Sequence, residues 1–245
     1  MRAAIVADIH SNLEAFQAVL DDVESRGGVD EVWCLGDLVG YGPNPREVIA
    51  LLRQHPHVCI AGNHDLAATG KIDTSLFNPI AAAAADWTRQ QLTPQEVRYL
   101  NQLPLVTSKG DFTLAHGSPR DPIWEYLVSE GTALANLEHF QTRYLLVGHS
   151  HLPFVCYMDE SSMECAFKEF PVGEPVQLEE GRLVINPGGV GQPRDRDPTS
   201  SYAIYDGEQG TICHYRVPYD IPFTQEKMRQ AGLPERLITR LSHGL

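Results

Sequence analysis

Short apolar runs alternate with amphipathic segments along the first sixty residues of the chain. The apolar runs have the length and composition of buried strands, and a polar or glycine residue follows each of them. These runs lie at residues 3–7, 32–35 and 58–60. Between them, apolar side chains recur at helical spacing after Ser11-Asn-Leu-Glu14, which has the pattern of a capping box, and after Asn44-Pro45. This order predicts a parallel, right-handed strand–helix–strand–helix–strand start.

The segment from Leu66 to Leu105 interrupts this alternation. It contains an alanine-rich stretch and then Thr93-Pro94-Gln95-Glu96, a second capping box with proline at the first helical position. We therefore expect a helical insertion of two helices over about 66–105. Two arrangements stay open for it, namely helices that pack on the core and a lid that moves over a site.

The remainder of the chain is richer in strand patterns. Residues 112–115 and 144–147 resume the apolar runs, with a helix expected between them at 123–140. Later strand-like runs are separated by glycine-rich turns, which predicts an antiparallel-leaning second sheet, and a helix is expected near 225–241. These later runs lie at 183–185, 202–205 and 211–217. No shift in composition marks a boundary, so residues 1–245 are expected to form a single α/β domain.

Charge and composition restrict the class of partner. The formal net charge of −13 argues against a nucleic acid polymer or an anionic membrane as the main partner. No apolar run reaches the roughly 18 residues that a membrane span needs. The five cysteines are odd in number and show no Cys-x-x-Cys spacing, which argues against a disulfide framework and a thiolate zinc site. Cys34 and Cys59 lie in apolar runs and are expected to be buried, so we expect a reduced, cytoplasmic protein. No stretch indicates a surface for stacking bases.

Polar residues of one chemical type follow the predicted strands. Asn63, His64 and Asp65 come directly after the run at 58–60, and ligand sites in open α/β sheets lie outside the carboxyl ends of strands. The candidate metal ligands are Asp8, His10, Asp37, Asn63, His116, His149 and His151. These carboxylates, imidazoles and one carboxamide are about as many ligands as a pair of divalent ions needs. In extended chain, ligands two residues apart, as in Asp8-Ile-His10, would project the same way.

Each short motif has an ordinary alternative, because a lone Asp-x-His or His-x-His occurs by chance. The occurrence of such residues at five separate strand ends favours a functional site over chance. A glycine-rich stretch over 186–194 ends in Arg194 and could approach and clamp a phosphate, or form a tight turn with a surface salt bridge. Arg120, which follows His116-Gly-Ser-Pro, is a similar candidate for substrate binding.

Taken in order, these motifs resemble those of the calcineurin-like metallophosphoesterases. The resemblance covers residues 8–151 and rests on Asp8-x-His10, Gly36-Asp37, Gly62-Asn-His-Asp65, His116 and Gly148-His-x-His151. It implies an α/β fold, a four-layer αββα sandwich of two mixed β-sheets flanked by helices, with a dinuclear metal site at one edge.

The resemblance also implies a role for each matching residue. It assigns Asp8, His10 and His151 to one metal ion, Asn63, His116 and His149 to the second, and Asp37 to both as a bridge. His64 would lie over the phosphate, with Asn63 near it, and would stabilise transition-state charge or protonate the leaving oxygen. Asp65 would orient His64 or cap the following turn.

The resulting hypothesis is a metal-dependent phosphoesterase that hydrolyses small phosphomonoesters or phosphodiesters by attack of a hydroxide held between two ions. The mixed nitrogen and oxygen donors suit Mn, Fe, Zn, Co or Ni. The alternative is a catalytically silent metal- or phosphate-binding scaffold of the same fold. A single closed structural zinc site fits poorly without cysteine ligands. A homodimer is compatible with the resemblance, although no residue demands one.

Overall fold

A computed structural model describes residues 1–159, 161–178 and 181–245. In its first six-stranded sheet the spatial order is β3-β2-β1-β11-β12-β9. These strands are β1 (Arg2–Val6), β2 (Glu31–Cys34), β3 (His57–Cys59), β9 (Pro175–Gln177), β11 (Ser200–Asp206) and β12 (Thr211–Val217). Strands β1, β2 and β3 are mutually parallel, whereas β11, β12 and β9 continue the sheet in antiparallel pairs.

The second six-stranded sheet has the order β4-β5-β6-β10-β7-β8. Its strands are β4 (Val106–Lys109), β5 (Phe112–Ala115), β6 (Tyr144–Leu146), β7 (Phe154–Asp159), β8 (Glu164–Glu169) and β10 (Arg182–Asn186). Strands β5, β6 and β10 are parallel, and antiparallel strands flank them on both sides. Both sheets are therefore mixed, with parallel strands whose carboxyl ends can carry a common site.

Helices connect the strands and cover the sheets. They are α1 (Leu13–Ser25), α2 (Pro45–Leu52), α3 (Asn63–Thr69), α4 (Pro79–Gln91), α5 (Pro94–Gln102), α6 (Glu130–Ala135), α7 (Ile221–Gln230) and α8 (Glu235–Arg240). Short 3₁₀ turns lie at Thr74–Leu76, Leu137–His139 and Leu241–His243. None of the helices in the described part of the chain is long and apolar enough to cross a membrane.

The alternation of side chains along the strands builds the layers. In β1, Ala3 and Ile5 belong to the apolar cluster between the two sheets, together with Trp33 and Phe112. Ala4 and Val6 belong to the cluster beneath α1 and α2. On the outer face of the second sheet, residues around α6 pack on β6, β7 and β10. The prediction of two mixed sheets flanked by helices is confirmed.

Several predictions for individual elements need correction. The cap of α1 is Asn12, whose Oδ1 accepts the Ala15 N–H at 3.1 Å, and not Ser11. The helix expected over 123–140 is reduced to α6 and the 3₁₀ turn after it. The helix expected over 225–241 is two helices, because Gly232 adopts a left-handed φ of 69° and Pro234 follows.

The later strands do not form a sheet of their own. β11 pairs with β1 and carries β12 into the first sheet, whereas β10 joins the second sheet beside β6. Strands β4, β7, β8 and β9 have no counterpart in the sequence prediction. In β4, β8 and β9, exposed positions interrupt the apolar pattern that marks buried strands, as in β4, where no residue is fully buried. β7 is an apolar run with four of its six residues buried, and the sequence prediction missed it.

The helical insertion begins earlier than expected, since α3 starts at Asn63. Leu100 and Leu103 near the end of α5 pack against the apolar cluster beneath α1 and α2. Ala81 and Ala84 of α4 pack with residues of α7 and α8. These contacts correspond to the first of the two arrangements considered for the insertion, in which its helices pack on the core. All five cysteines are free and buried, which includes the predicted burial of Cys34 and Cys59.

Candidate functional site

The seven candidate ligands meet at one edge of the sandwich, and all are buried. They lie after β1, β2, β5 and β6 and at the start of α3, which follows β3. Nine described non-glycine residues have a positive φ, and five of them are candidate ligands: Asp8 (55°), His10 (48°), Asp37 (51°), His149 (64°) and His151 (59°). The ligand loops are therefore left-handed turns and not extended chain, a correction to the expected alternation. Such strained backbone is typical of functional sites.

The first group of side chains combines Asp8, His10 and His151. Their ligand atoms lie within 4.8 Å of one another. Nε2 of His151 is 3.5 Å from Oδ1 of Asp8 and 3.3 Å from Nε2 of His10.

The second group combines Asp37, His116 and His149, again with ligand atoms within 4.8 Å of one another. Oδ1 of Asn63 is 3.1 Å from Nε2 of His116. Oδ2 of Asp37 lies 3.4 Å from Nε2 of His116 and 3.6 Å from Nε2 of His10. One carboxylate oxygen thus faces both groups.

Backbone carbonyls set the orientation of three imidazoles. Nδ1 of His116 lies 2.8 Å from Leu35 O, Nδ1 of His151 lies 2.6 Å from Gln192 O, and Nδ1 of His10 lies 3.4 Å from Val39 O. Since a carbonyl only accepts, each Nδ1 is assigned the proton, and each Nε2 points into the site.

His10 and His151 are neutral, so each keeps a lone pair on Nε2. Nε2 of His10 and Nε2 of His151 face each other at 3.3 Å, an arrangement that a cation between or beside them would relieve. Oδ2 of Asp8 and Nε2 of His149 are buried without a hydrogen-bond partner in the described structure. Unsatisfied buried acceptors are costly, so this donor set fits divalent cations.

The pKa values follow from burial and from the two carboxylates. Burial lowers the pKa of His149 to about 3 and holds those of His10 and His151 well below their usual value. Burial also raises the pKa of Asp8 to about 7. A divalent cation would bind the neutral imidazoles and would favour the ionised carboxylate.

Asp37 and His116 behave as an ion pair. Burial alone would raise the pKa of Asp37, but the imidazoles of His116 and His64 outweigh it and hold that pKa well below its usual range. Burial would lower the pKa of His116, yet the carboxylates of Asp37 and Asp8 raise it to about 9. A cation bound beside Asp37 would therefore displace one proton of His116.

His64 lies beside this centre, and one of its ring nitrogens is within 4.8 Å of ligand atoms of His10 and Asp37. Its backbone N–H donates to Oδ1 of Asp37 at 2.8 Å, and its ring packs between Tyr41 and Phe77, with centroid distances of 4.2 and 5.0 Å. Burial lowers the pKa of His64 to about 4. A neutral imidazole of this kind donates a hydrogen bond through its N–H and is a poor donor of a full proton.

Asp65 points away from this chemistry. Its carboxylate accepts the backbone N–H groups of Gly62 at 2.9 Å, Val39 at 3.0 Å and Leu38 at 3.3 Å. All of these bonds go to backbone and none to His64. The geometry corresponds to the capping alternative, in which Asp65 fixes the loop after β2 against the start of α3.

The two candidate arginines differ in position. Arg194 lines a cavity of about 230 Å³ that Asp37, Asn63 and His64 also line. Arg120 is absent from the described lining of that cavity and pairs with Glu125 instead. The structure therefore brings Arg194 to the site and leaves Arg120 outside it.

The glycine-rich stretch before Arg194 packs on protein and not on open space. A Cβ on Gly191 would lie 1.9 Å from Ile9 O, and a Cβ on Gly189 would lie 2.9 Å from Nδ1 of His151. Asn186 donates through Nδ2 to Gly148 O at 2.8 Å. The stretch thus braces two ligand loops, which corrects the expectation that its glycines approach a ligand.

Four aromatic residues of the site were missed by the sequence reasoning. Tyr41, Phe77, Trp124 and Tyr126 line the same cavity as His64 and Arg194. They lie in loops without periodicity, where an aromatic residue gives no signal of its own. The nearest signal is the pair of glycines that flank Tyr41, which has a left-handed φ of 54°.

Comparison with known proteins gives one family. Residues 1–210 match the model of the calcineurin-like phosphoesterase superfamily domain. An uncharacterized protein of Methanocaldococcus jannaschii is 38% identical over 246 residues, which cover 98% of this chain and 97% of that protein. The crystal structure of a metallophosphoesterase from Sphaerobacter thermophilus is 45% identical and superposes with a TM-score of 0.91, covering 100% of this chain and 99% of that one.

A more distant likeness concerns a symmetrical bis(5'-nucleosyl)-tetraphosphatase of Pseudomonas putida. It is 34% identical over 105 residues, which cover 37% of this chain and 36% of that enzyme. The match thus spans about a third of the length of that relative.

Proposed function

Because the chain belongs to the calcineurin-like phosphoesterase superfamily, we propose that it is a metal-dependent hydrolase of small phosphate esters. The observation that carries this proposal is the pair of buried Asp/His groups that face one carboxylate, Asp37. Two groups of this composition at the carboxyl ends of parallel strands correspond to a dinuclear centre.

The residues present would hold two ions without rearrangement of the fold. Asp8, His10 and His151 would bind one ion, Asn63, His116 and His149 the other, and Asp37 both. Nitrogen and oxygen donors of this kind suit Mn, Fe, Zn, Co or Ni. When bound, such ions neutralise phosphoryl oxygens and lower the pKa of a water molecule that serves as nucleophile.

The protein's own side chains would then orient the ester. Arg194 donates to a phosphoryl oxygen, and the neutral His64 donates a hydrogen bond to the phosphoryl or leaving oxygen. Overall, the phosphorus–oxygen bond to the alcohol breaks, a bond to the water oxygen forms, and the departing oxygen takes up the proton that water gives up. Burial of the site excludes bulk water and strengthens these interactions.

Turnover of two chromogenic esters tests this proposal. We expect metal-loaded protein to hydrolyse p-nitrophenyl phosphate, bis-p-nitrophenyl phosphate or both, to lose that activity on chelation, and to regain it with Mn²⁺. The preferred ester then separates a monoesterase from a diesterase. Fully loaded protein that turns over neither these two esters nor a nucleoside monophosphate would contradict the proposal and favour the silent scaffold.

A further inference from the structure

Aromatic side chains form the mouth of the cavity, and two of them are open to solvent. The side chain of Trp124 is 37% exposed and that of Tyr126 is 50% exposed, although both line the cavity that contains His64 and Arg194. Large exposed rings beside a site are typical of ligand contact, because their hydration is costly unless a ligand covers them.

Tyr126 and Phe77 contact the site histidines directly, and Trp124 contacts Phe77. Tyr126 stacks on His149 with a centroid distance of 4.0 Å and an interplanar angle of 26°. Phe77 contacts His64 at 5.0 Å and Trp124 at 5.4 Å, in both cases edge to face. Phe77 alone therefore separates Trp124 from His64, so an ester bound at the candidate metal site would lie close to Trp124.

The loop that carries Trp124 and Tyr126 is braced through the residue between them. Glu125 accepts from Oγ of Ser118 at 2.6 Å and from Nδ2 of Asn136 at 2.7 Å, and it pairs with Arg120. Because Glu125 is tied to the protein, the two flanking rings are held at the cavity with little freedom. Arg120 thus acts on the site through this brace, although it was expected to touch substrate.

We propose that Trp124, Tyr126 and Phe77 form a base-binding surface, and that the ester hydrolysed at this site carries a purine or pyrimidine base. The inference rests on the proposed function and gives its substrate class, a small nucleoside phosphate. A phosphoryl site lined by Arg194 and adjoining aromatic rings matches the two chemical parts of such a molecule. The net charge of −13 favours a small nucleotide over a nucleic acid polymer. The sequence alone did not indicate such a surface, because its rings come from separate loops.

Two pairs of esters test this inference; the first pair differs by the base alone and the second by the whole nucleoside. Adenosine 5'-monophosphate is compared with ribose 5-phosphate, and the p-nitrophenyl ester of thymidine 5'-monophosphate with methyl p-nitrophenyl phosphate. The measured quantity is the ratio of kcat/KM for the base-carrying ester to that for its base-free partner. We expect this ratio to fall by about tenfold in Trp124→Leu, since loss of base stacking on an aromatic ring weakens binding by about 5- to 150-fold.

Two further variants control this measurement. Trp124→Phe keeps an aromatic face and should retain most of the selectivity. Phe223→Leu removes a ring that is 54% exposed on α7, away from the cavity, and should leave the ratio unchanged.

The outcomes separate this inference from the proposed function. If wild-type protein hydrolyses both members of a pair and Trp124→Leu leaves the ratio unchanged, the base-binding surface is wrong while the hydrolase stands. If no ester is hydrolysed, the proposed function fails. The base-binding surface is then tested separately, by the calorimetric affinity of metal-loaded protein for adenosine 5'-monophosphate. Equal affinity in wild type and Trp124→Leu, or no binding, would then overturn it.

Discussion

Asp37 is the residue on which the two ligand groups depend. One of its oxygens faces His10 and His116, and the other accepts the backbone N–H of His64. The same carboxylate therefore connects both groups and fixes the start of α3 over them.

Replacing this carboxylate tests that arrangement. In Asp37→Asn a negative charge is lost, and the amide N–H₂ group faces imidazole lone pairs or the His64 N–H. We therefore expect metal affinity to fall by more than about 100-fold and activity to be lost in parallel. Calorimetric titration with Mn²⁺ measures the affinity. Asp21→Asn on the exposed surface of α1 is the control and should bind as wild type does. Wild-type affinity in Asp37→Asn would show that this residue is not a ligand.

His64 is expected to act on the ester and not on the metal. His64→Ala should keep the metal content of wild type and lower kcat by about 100-fold, because removal of one preorganised donor to a developing charge costs this much. His64→Gln, which keeps an N–H donor, should recover part of the loss. Metal analysis and steady-state kinetics on the same samples check both points, and full turnover in His64→Ala would exclude this role.

At the residue scale, the sequence predicted which residue types would form the site and their order along the chain. It predicted the role of each residue only in part. Asp8, His10 and His151 could be found because each follows an apolar run. Asp65 and Arg120 have equally suggestive positions in the sequence, but their partners, three backbone amides and Glu125, are set by loops that fold back. No local pattern encodes such contacts.

At the element scale, buried strands were the most predictable features. The parallel strands β1 and β2 are buried on both faces and appear as continuous apolar runs, whereas the partly exposed β4 does not. The expected helix over 123–140 failed because Ser118, Glu125 and Asn136 bond across the segment and hold much of it as a loop. Side-chain bonds of this kind compete with helix formation.

The packing of the glycine-rich stretch on the loop after β1 gives an element-scale prediction. Gly191→Ala should lower the free energy of unfolding by about 1–3 kcal/mol, since its Cβ would overlap Ile9 O. Gly131→Ala is the matched control, because Gly131 lies within α6 with nothing within 4 Å of an added Cβ. This control should raise stability by about 0.5–1 kcal/mol. Urea unfolding measures both, and equal effects would contradict the packing described.

At the scale of the whole molecule, two sheets bring loops from distant parts of the chain to one edge. His10 and His151 are 141 residues apart in sequence, and their Nε2 atoms are 3.3 Å apart. Burying so many acceptors in a protein of net charge −13 opposes folding unless cations bind.

Metal binding should therefore stabilise the fold. A ligand present at about 100 times its Kd adds about 2.7 kcal/mol, which for a chain of this size corresponds to roughly 5–10 °C in Tm. Differential scanning calorimetry of chelated and Mn²⁺-loaded protein measures the shift, with Asp37→Asn as the variant in which it should be small. A Tm that is independent of metal in wild type would contradict the coupling.

The number of metal ions per folded chain tests the central claim most directly. Native mass spectrometry of protein reloaded with Mn²⁺ or Zn²⁺ and freed of loosely bound ions counts them. The geometry predicts two ions per chain in wild type, since Asp37 faces two complete donor groups. A chain that binds no ion, or only one at saturation, would contradict a dinuclear phosphoesterase.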